Sequence, residues 1–379
     1  MVVLSWPDLA ARLPSAAPPH LIDSALAPDT PALDGTLTLF RERHGWCPYS
    51  ERVWLALEAK GIEHTTVLID NTGHGRRPSW YSGTTPQIRW ADGKTAGESL
   101  DLVRELDVRF PATPPLFEAS GVDAAISAFR RCFPRNARPS SRAAYLFSYD
   151  GPLPRSTFEA ALDATDDALG ETGGPFFCGD AFSAADVAWA PFLERYAAQL
   201  PCLHDGLAPR SARWPRLEAW YSAMDGVPAY AARVQGHPDS WRKVLAMQGY
   251  GNAGAPQTLI DGAGGLAWAP PDAAVWAEYA ASRPHAAPTP AAEAAATIVR
   301  NRVAIAADAE KRGLAGDVVD GGLRGVAAAL LDGADAAGGG EAAELAAHLV
   351  ERMCVPRDMG LLPALELRRV AAELAECDS

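Results

Sequence analysis

The chain has 379 residues, 48% of them hydrophobic, and a formal net charge of −13, with 34 Lys and Arg against 47 Asp and Glu. That length is too great for one ordinary core and implies about two to three domains. The acidic balance argues against a nucleic-acid partner, which requires clustered Lys and Arg. No run reaches the roughly 18 apolar residues of a membrane-spanning helix, so a soluble protein without a transmembrane segment is expected. The cysteines Cys47, Cys132, Cys178, Cys202, Cys354 and Cys377 are scattered without paired spacing, which reads as a reducing compartment. The histidines form no ligand cluster; Cys202-x-His204, lacking a second pair nearby, reads as packing plus surface, and no metal is expected. Met1-Val-Val-Leu-Ser-Trp carries neither a signal-peptide core nor an Arg- and Ser-rich transit pattern, which leaves a cytoplasmic location or a targeting segment already removed.

In chain order, residues 1–35 are rich in Pro, Ala and Asp, with one amphipathic piece from Trp6 to Leu13, and read as an arm lying on a neighbour. From 36 to 112 strands and helices alternate: Leu37–Arg41 as strand, Tyr49–Lys60 as helix, His64–Ile69 as strand. Gln87–Trp90 and Lys94–Ala96 then flank an Asp92-Gly93 turn, and Ser99–Phe110 closes as a helix. Strand, helix and strand make a βαβ unit, and the Asp-Gly turn is a hairpin signal. Beyond a linker at Pro111, Pro114 and Pro115, residues 113–247 turn helical, at 121–133, 155–170, 184–200 and 213–225. Ser183-Ala-Ala-Asp186 is a capping box for the third of these, and Val187, Trp189, Phe192 and Leu193 mark it as the core helix. A linker over 248–289 precedes an Ala-rich extension at 290–379, helical over 290–312, 317–332, 340–351 and 360–376. There Ile298, Val299, Val303 and Ala306 read as a packed face, and Asp358 as an N-cap.

The stretch Arg43-His44-Gly45-Trp46-Cys47-Pro48-Tyr49-Ser50 puts Cys47 between a strand and a helix, at the helix N-terminus. Free backbone N–H groups and the positive end of the helix dipole favour a thiolate over a thiol at such a place. Pro48 fits the first helical turn, and Gly61 the helix end. A buried structural cysteine is the plain alternative; Arg43 and His44 supply the electropositive setting of a reactive one. Pro86, in Thr84-Thr85-Pro86-Gln87-Ile88, stands at the mouth of a strand, where either a cis bond or an edge strand accommodates it. Glu98-Ser99 opens a helix and reads as a cap or as a grip for an α-amino acid head group. Trp46, Tyr49 and Trp80 are candidates for an aromatic pocket wall or for core. Arg76, Arg77 and Lys94 are candidates for a ligand carboxylate or a solvated basic loop, and Arg135, Asn136, Arg138 and Tyr145 for a cleft.

In this order, the Cys47 loop, Pro86 and Glu98-Ser99 resemble the thioredoxin-like domain of the glutathione transferase family, and residues 113–247 resemble its all-helical second domain. The resemblance implies an α/β thioredoxin-like domain plus an all-α domain, followed here by an additional mainly helical one. It implies glutathione as co-substrate, with Cys47 as nucleophile and the backbone amides of Tyr49 and Ser50 around its sulfur. Thr85 with Pro86 would meet the cysteinyl part of glutathione, and Glu98 with Ser99 its γ-glutamyl end. The run from His44 to Glu58, with the long extension, looks most like the iota class of algae, mosses and cyanobacteria, which implies a photosynthetic organism and a chloroplast location. That class carries a Cys-Pro-aromatic-Cys motif, whereas this chain has Ser50 in the last place. A resolving thiol is thereby absent from the motif, and a monothiol cycle follows.

The expected function is a glutathione-dependent thioltransferase or reductase that removes glutathionyl groups through a Cys47–glutathione mixed disulfide, with an unknown disulfide or electrophile as second substrate. Two other readings stay open. One is a non-catalytic scaffold or accessory subunit of a larger plastid assembly, docking through residues 1–35 and 250–379. The other is a carrier of a hydrophobic ligand.

Overall fold

The computed structural model describes residues 4–25, 35–71, 77–133, 146–148, 151–246, 269–338 and 340–377. The chain divides into two compact units. One comprises Pro19–Tyr230 with Gly236–Pro270; the other comprises Met1–Pro18, Ala231–Gln235 and Pro271–Ser379. Helix α1 (Trp6–Ala11) opens the chain and belongs to the second.

The larger unit is organised on a five-stranded sheet of order β1-β3-β2-β4-β5. Its strands are β1 (Leu21–Asp23), β2 (Thr38–Glu42), β3 (Thr65–Ile69), β4 (Gln87–Arg89) and β5 (Thr95–Ala96). β2 and β3 run parallel with Phe40 opposite Val67, and every residue of both is buried, which accounts for apolar runs without alternation. Between them runs α2 (Pro48–Ala59), completing the βαβ unit. β4 pairs antiparallel with β2, β5 antiparallel with β4, and the Asp92-Gly93 turn joins those last two strands. Helix α3 (Ser99–Arg109) follows, and the arrangement is thioredoxin-like. β1 lies inside the stretch expected to be an arm: Leu21 pairs with Thr66 in parallel register. Its three residues, Leu21 exposed and Ile22 and Asp23 half-buried, are too few to show an alternation.

The remaining elements of this unit include α4 (Val122–Cys132), a ribbon of β6 (Phe147–Ser148) and β7 (Gly151–Pro152), α5 (Arg155–Leu169), α6 (Ala184–Leu203), α7 (Pro215–Met224) and α8 (Pro238–Ala246). The capping box opens α6, with Ser183 Oγ accepting from the Ala185 amide and the Ser183 amide donating to Asp186. Asp186 also accepts from the Phe177 amide at 3.1 Å and Trp220 Nε1 at 2.9 Å, so this fully buried carboxylate fixes three segments at once. Val187, Trp189, Phe192 and Leu193 are wholly buried, and α6 continues past its expected end through Pro201.

In the second unit, α9 (Ala274–Ala281), α10 (Pro290–Lys311), α11 (Gly316–Asp332), α12 (Gly340–Arg352) and α13 (Leu361–Cys377) form a bundle. α9 falls within the expected linker, where Trp276 and Tyr279 pack with Ala232 and Leu362. α11 and α12 approach closely: a Cβ on Gly322 would lie 2.6 Å from the Glu341 carbonyl, and one on Gly325 2.5 Å from that of Ala337. Of the expected arm, the described residues up to Pro18 belong with these helices of their own chain. Leu9 is fully buried, Trp6 Nε1 donates to Asp320 at 2.7 Å, and Arg12 makes a two-pronged bond to Asp332 at 2.5 and 2.6 Å. Two expectations fail here. Val303 is 77% exposed, because the buried track of α10 runs through Ala295, Ile298 and Ala309, and Val303 sits off that track. Asp358 is no N-cap: its carboxylate accepts from the Cys354 amide at 2.8 Å and closes the 354–358 turn, while α13 begins at Leu361. Among the described residues no helix is long and apolar enough to cross a membrane.

Candidate active site

The site is built where β2 ends. Glu42 is the last residue of the strand, buried, and its carboxylate accepts from the His44 and Trp46 amides, each at 2.8 Å. Such a tight return needs a left-handed residue between the two donors, and Gly45 supplies it at φ +75°. The Trp46 carbonyl accepts from Arg195 Nη2 at 3.1 Å, so the peptide just before Cys47 is held on both sides. Cys47 is the N-cap of α2 with extended backbone (ψ 112°), Pro48 is the first helical residue, and the Glu51 amide closes the first turn on the Cys47 carbonyl at 3.1 Å. Cys47 is 4% exposed, and its Sγ lies 3.8 Å from the Thr85 carbonyl.

That pairing spans 38 residues and brings the Cys47 loop against the turn before β4, where the Thr85–Pro86 bond is cis. Between them opens a cavity of about 520 Å³, within the usual range for small-molecule sites. Of the expected residues, Cys47, Tyr49, Thr85, Pro86, Glu98 and Ser99 line it. Ser50 does not; its side chain is buried, with Oγ 3.5 Å from the Glu42 amide that donates to it, so what Ser50 can offer the site is its backbone. The first turns of α2 and α3 both reach the cavity, bringing the partial positive charge of two helix starts to one place. Glu98 caps α3 at φ +62°, the one non-glycine residue with positive φ among the described residues. Such a conformation costs on the order of 1–3 kcal/mol and persists where surrounding structure enforces it.

Arg77, a candidate already named from the sequence, lines the cavity too, as do Asn71, Gly83 and Thr84. Asn71 went unread in the sequence; its Nδ2 donates to Thr85 Oγ1 at 3.2 Å. Its one available signal was position, two residues past β3, at the carboxyl end of parallel strands where ligand sites gather. Arg77 donates to the Gly83 carbonyl and stacks 4.8 Å over the Tyr81 ring, bringing a cation to the rim. Tyr81 itself donates to the Thr84 carbonyl at 2.9 Å, and burial pushes its phenol well above the ordinary range. The other candidates lie elsewhere. Trp46 is core, packed with Ala198, Trp241 and Val244; Trp80 packs on Phe40 and Tyr81. Lys94 is a solvated side chain beside Asp92. Arg76, Arg135, Asn136, Arg138 and Tyr145 lie outside the described residues. Cys202 and His204 face the Ala198 and Leu153 carbonyls, and no group of ligating side chains able to hold a metal occurs among the described residues.

A cavity edged by a cysteine sulfur, two helix starts, one cation and one carboxylate suits a small peptide bearing both charges and a reactive sulfur. Comparison with known proteins bears on which one. Residues 46–109 match the model of the glutathione S-transferase N-terminal domain, and residues 155–223 that of the C-terminal domain. Protein IN2-1 of Zea mays is 30% identical over 229 residues, covering 59% of this chain and 89% of its own length. Glutathione S-transferase L3 of Arabidopsis thaliana is 31% identical over 211 residues, 54% of this chain and 84% of its own. Glutathione S-transferase L2, chloroplastic, of the same plant is 28% identical over 199 residues, 50% of this chain and 63% of its own.

Proposed function

Because the chain belongs to the glutathione S-transferase family, we propose that it is a glutathione-dependent thioltransferase working through a mixed disulfide at Cys47. The observation that carries this reading is the placement of Cys47 at the start of α2, on the cavity and against the Thr85 carbonyl, with Ser50 where a second cysteine would resolve the disulfide. The Cys47 thiolate attacks the glutathionyl sulfur of a disulfide R–S–S–G. The old S–S bond breaks, R–S⁻ departs and takes a proton, and Cys47–S–S–G remains. A second glutathione thiolate then attacks the bound glutathionyl sulfur, oxidised glutathione leaves, and the Cys47 thiolate is restored. The net change reduces one mixed disulfide and oxidises one glutathione.

In this reading the Tyr49 and Ser50 amides face the thiolate, Thr85 with Pro86 meets the cysteinyl part of glutathione, and Glu98 with Ser99 holds the γ-glutamyl end. Arg77 is placed for the glycyl carboxylate. We assign the chain within the family nearest to the iota class, on the run from His44 to Glu58 and the appended helices. A plastid location accords with that assignment and with the chloroplastic relative. The separate helical unit favours a second, non-catalytic reading, since the reaction on glutathione does not require it. Turnover separates them: the thioltransferase reading requires glutathione-coupled reduction of a small mixed disulfide that Cys47→Ser abolishes. A stable stoichiometric protein partner without turnover supports the scaffold.

A further inference from the structure

Tyr81 is buried and does not line the cavity, yet two residues it touches, Arg77 and Thr84, do. Its amide donates to the Pro78 carbonyl at 3.1 Å, closing a turn that brings residue 77 back over residue 81. There the Arg77 guanidinium lies 4.8 Å over the Tyr81 ring and donates to the Gly83 carbonyl. On the sheet side the same ring meets Phe40 of β2 at 5.5 Å, in a cluster with Val67 and Ile69 of β3. Trp80 meets it at right angles, 6.1 Å away. The Tyr81 hydroxyl donates to the Thr84 carbonyl at 2.9 Å, one residue before the carbonyl that faces Cys47 Sγ.

Arg77 is the one Lys or Arg among the residues that line the cavity. Among the described residues no carboxylate pairs with it, and its buried Nε has no hydrogen-bond partner there. An arginine carries five donors in a rigid fork suited to a carboxylate, so most of this fork is open to a ligand. What fixes the guanidinium in place is an aromatic face and one backbone carbonyl. The negative face of a ring attracts a cation without cancelling its charge, whereas a carboxylate partner would cancel it. The ring in turn rests on the sheet through Phe40, so the charge is set by the same strand that leads into the Cys47 loop. Burial pushes the Tyr81 phenol well above the ordinary range, which keeps the ring neutral and the hydroxyl a donor.

We propose that Tyr81 is a positioning residue that decides specificity: its ring holds the Arg77 charge, uncancelled, at the rim of the cavity, and so gives Cys47 a preference for reactants that carry an anionic group. That this group is the glycyl carboxylate of glutathione rests on the thioltransferase reading; the preference itself does not. Glu98, the one carboxylate on the cavity, is left in place in every variant below, so differences among them report the Arg77 charge.

The test uses two alkylating reagents of nearly one size, iodoacetate and iodoacetamide, which differ by a charge. With either, the Cys47 sulfur displaces iodide, and peptide mass gives the rate at Cys47; Cys377, exposed and in the other unit, is the reference. Against that reference, Arg77→Met is expected to lower the iodoacetate-to-iodoacetamide ratio about fivefold, the effect of one unit charge in a largely aqueous setting, and added salt is expected to lower the native ratio likewise. Tyr81→Leu is expected to lower the ratio as far, and adding Arg77→Met to it no further. Tyr81→Phe, which keeps the ring and loses the hydroxyl, is expected to keep the ratio, any slowing being equal for the two reagents. A side chain that only fills space would slow both reagents alike. If Tyr81→Leu does not fold, Arg77→Lys decides: it keeps the charge without the planar face, and its ratio is expected between those of the native protein and Arg77→Met. A native ratio in Tyr81→Leu, or in Arg77→Lys where Tyr81→Leu does not fold, overturns the positioning role, as does a fall in Tyr81→Phe as deep as in Tyr81→Leu. The identity of the anion is read separately, from the rates of adduct formation at Cys47 with oxidised glutathione and with its glycyl ethyl ester. A preference for the acid that Tyr81→Leu loses assigns the anion to the glycyl end, and equal rates in the native protein overturn that assignment. No adduct from either, with the alkylation results standing, removes the thioltransferase reading alone.

Discussion

The two units differ in what they bury. The unit that carries Cys47 encloses Arg41, Glu42, Glu51, Arg52, Asp186, Glu194 and Arg195, each tied to backbone or to an opposite charge. Among the described residues of the helical unit no charged side chain is buried, and ion pairs such as Arg12–Asp332 and Arg352–Asp308 stay at the surface. Its interior is Ala, Leu, Val and Trp, with glycines letting helices meet closely. Buried charge is a poor source of stability but a strict one of geometry, since each group accepts few arrangements. Small-residue packing stabilises by contact and constrains no particular atom. The buried charges fall in the unit that carries Cys47 and its cavity.

The comparison is broken hardest at Asp186. Asp186→Ala leaves the Trp220, Phe177 and Ser183 donors buried and unmatched, and is expected to cost about 3–5 kcal/mol, read as a lower urea midpoint for the unit bearing Cys47. A loss under about 1 kcal/mol would mean that these buried polar ties are not what holds that unit. In the helical unit the corresponding probe is apolar. Leu9→Ala is expected to cost roughly 2–4 kcal/mol in that unit's unfolding, because the side chain is fully buried on a six-residue helix. If the transition does not move, the arm is no part of the packed unit. Asn71→Ala sharpens the contrast within the site: it removes the bond to Thr85 Oγ1 and is expected to lower kcat/KM for glutathione about tenfold, at unchanged fold, one hydrogen bond's worth of positioning. An unchanged kcat/KM would assign Asn71 to the cavity wall only.

The elements set by local chemistry were legible in the sequence: the strand, Cys-Pro and helix succession, the Asp92-Gly93 turn, and the Ser183–Asp186 box each carry their signal within a few residues. What escaped depends on partners distant in the chain. β1 exists because β3 offers it an edge, and α9 because Ala232 and Leu362 give Trp276 a place to pack. The site followed the same rule. Cys47, Pro86 and Glu98-Ser99 each mark a turn or a helix start and can be read alone, whereas Asn71 matters through Thr85, 14 residues on. Arg195 reaches the Trp46 carbonyl across 149 residues, and its helix reads in sequence as an apolar core element whose charges have no visible purpose. Ser50 shows the converse: its place in the first turn of α2 can be read from sequence, while its hydroxyl, accepting from the Glu42 amide, lies off the cavity.

The central claim is that Cys47 carries glutathione and has no thiol partner to resolve it. Intact mass after incubation with oxidised glutathione, beside Cys47→Ser, tests it most directly. The account predicts a single glutathione adduct on the native protein, stable until reduced glutathione is added and absent from the variant. No adduct at Cys47, or one that the chain resolves by itself into an internal disulfide, would contradict it.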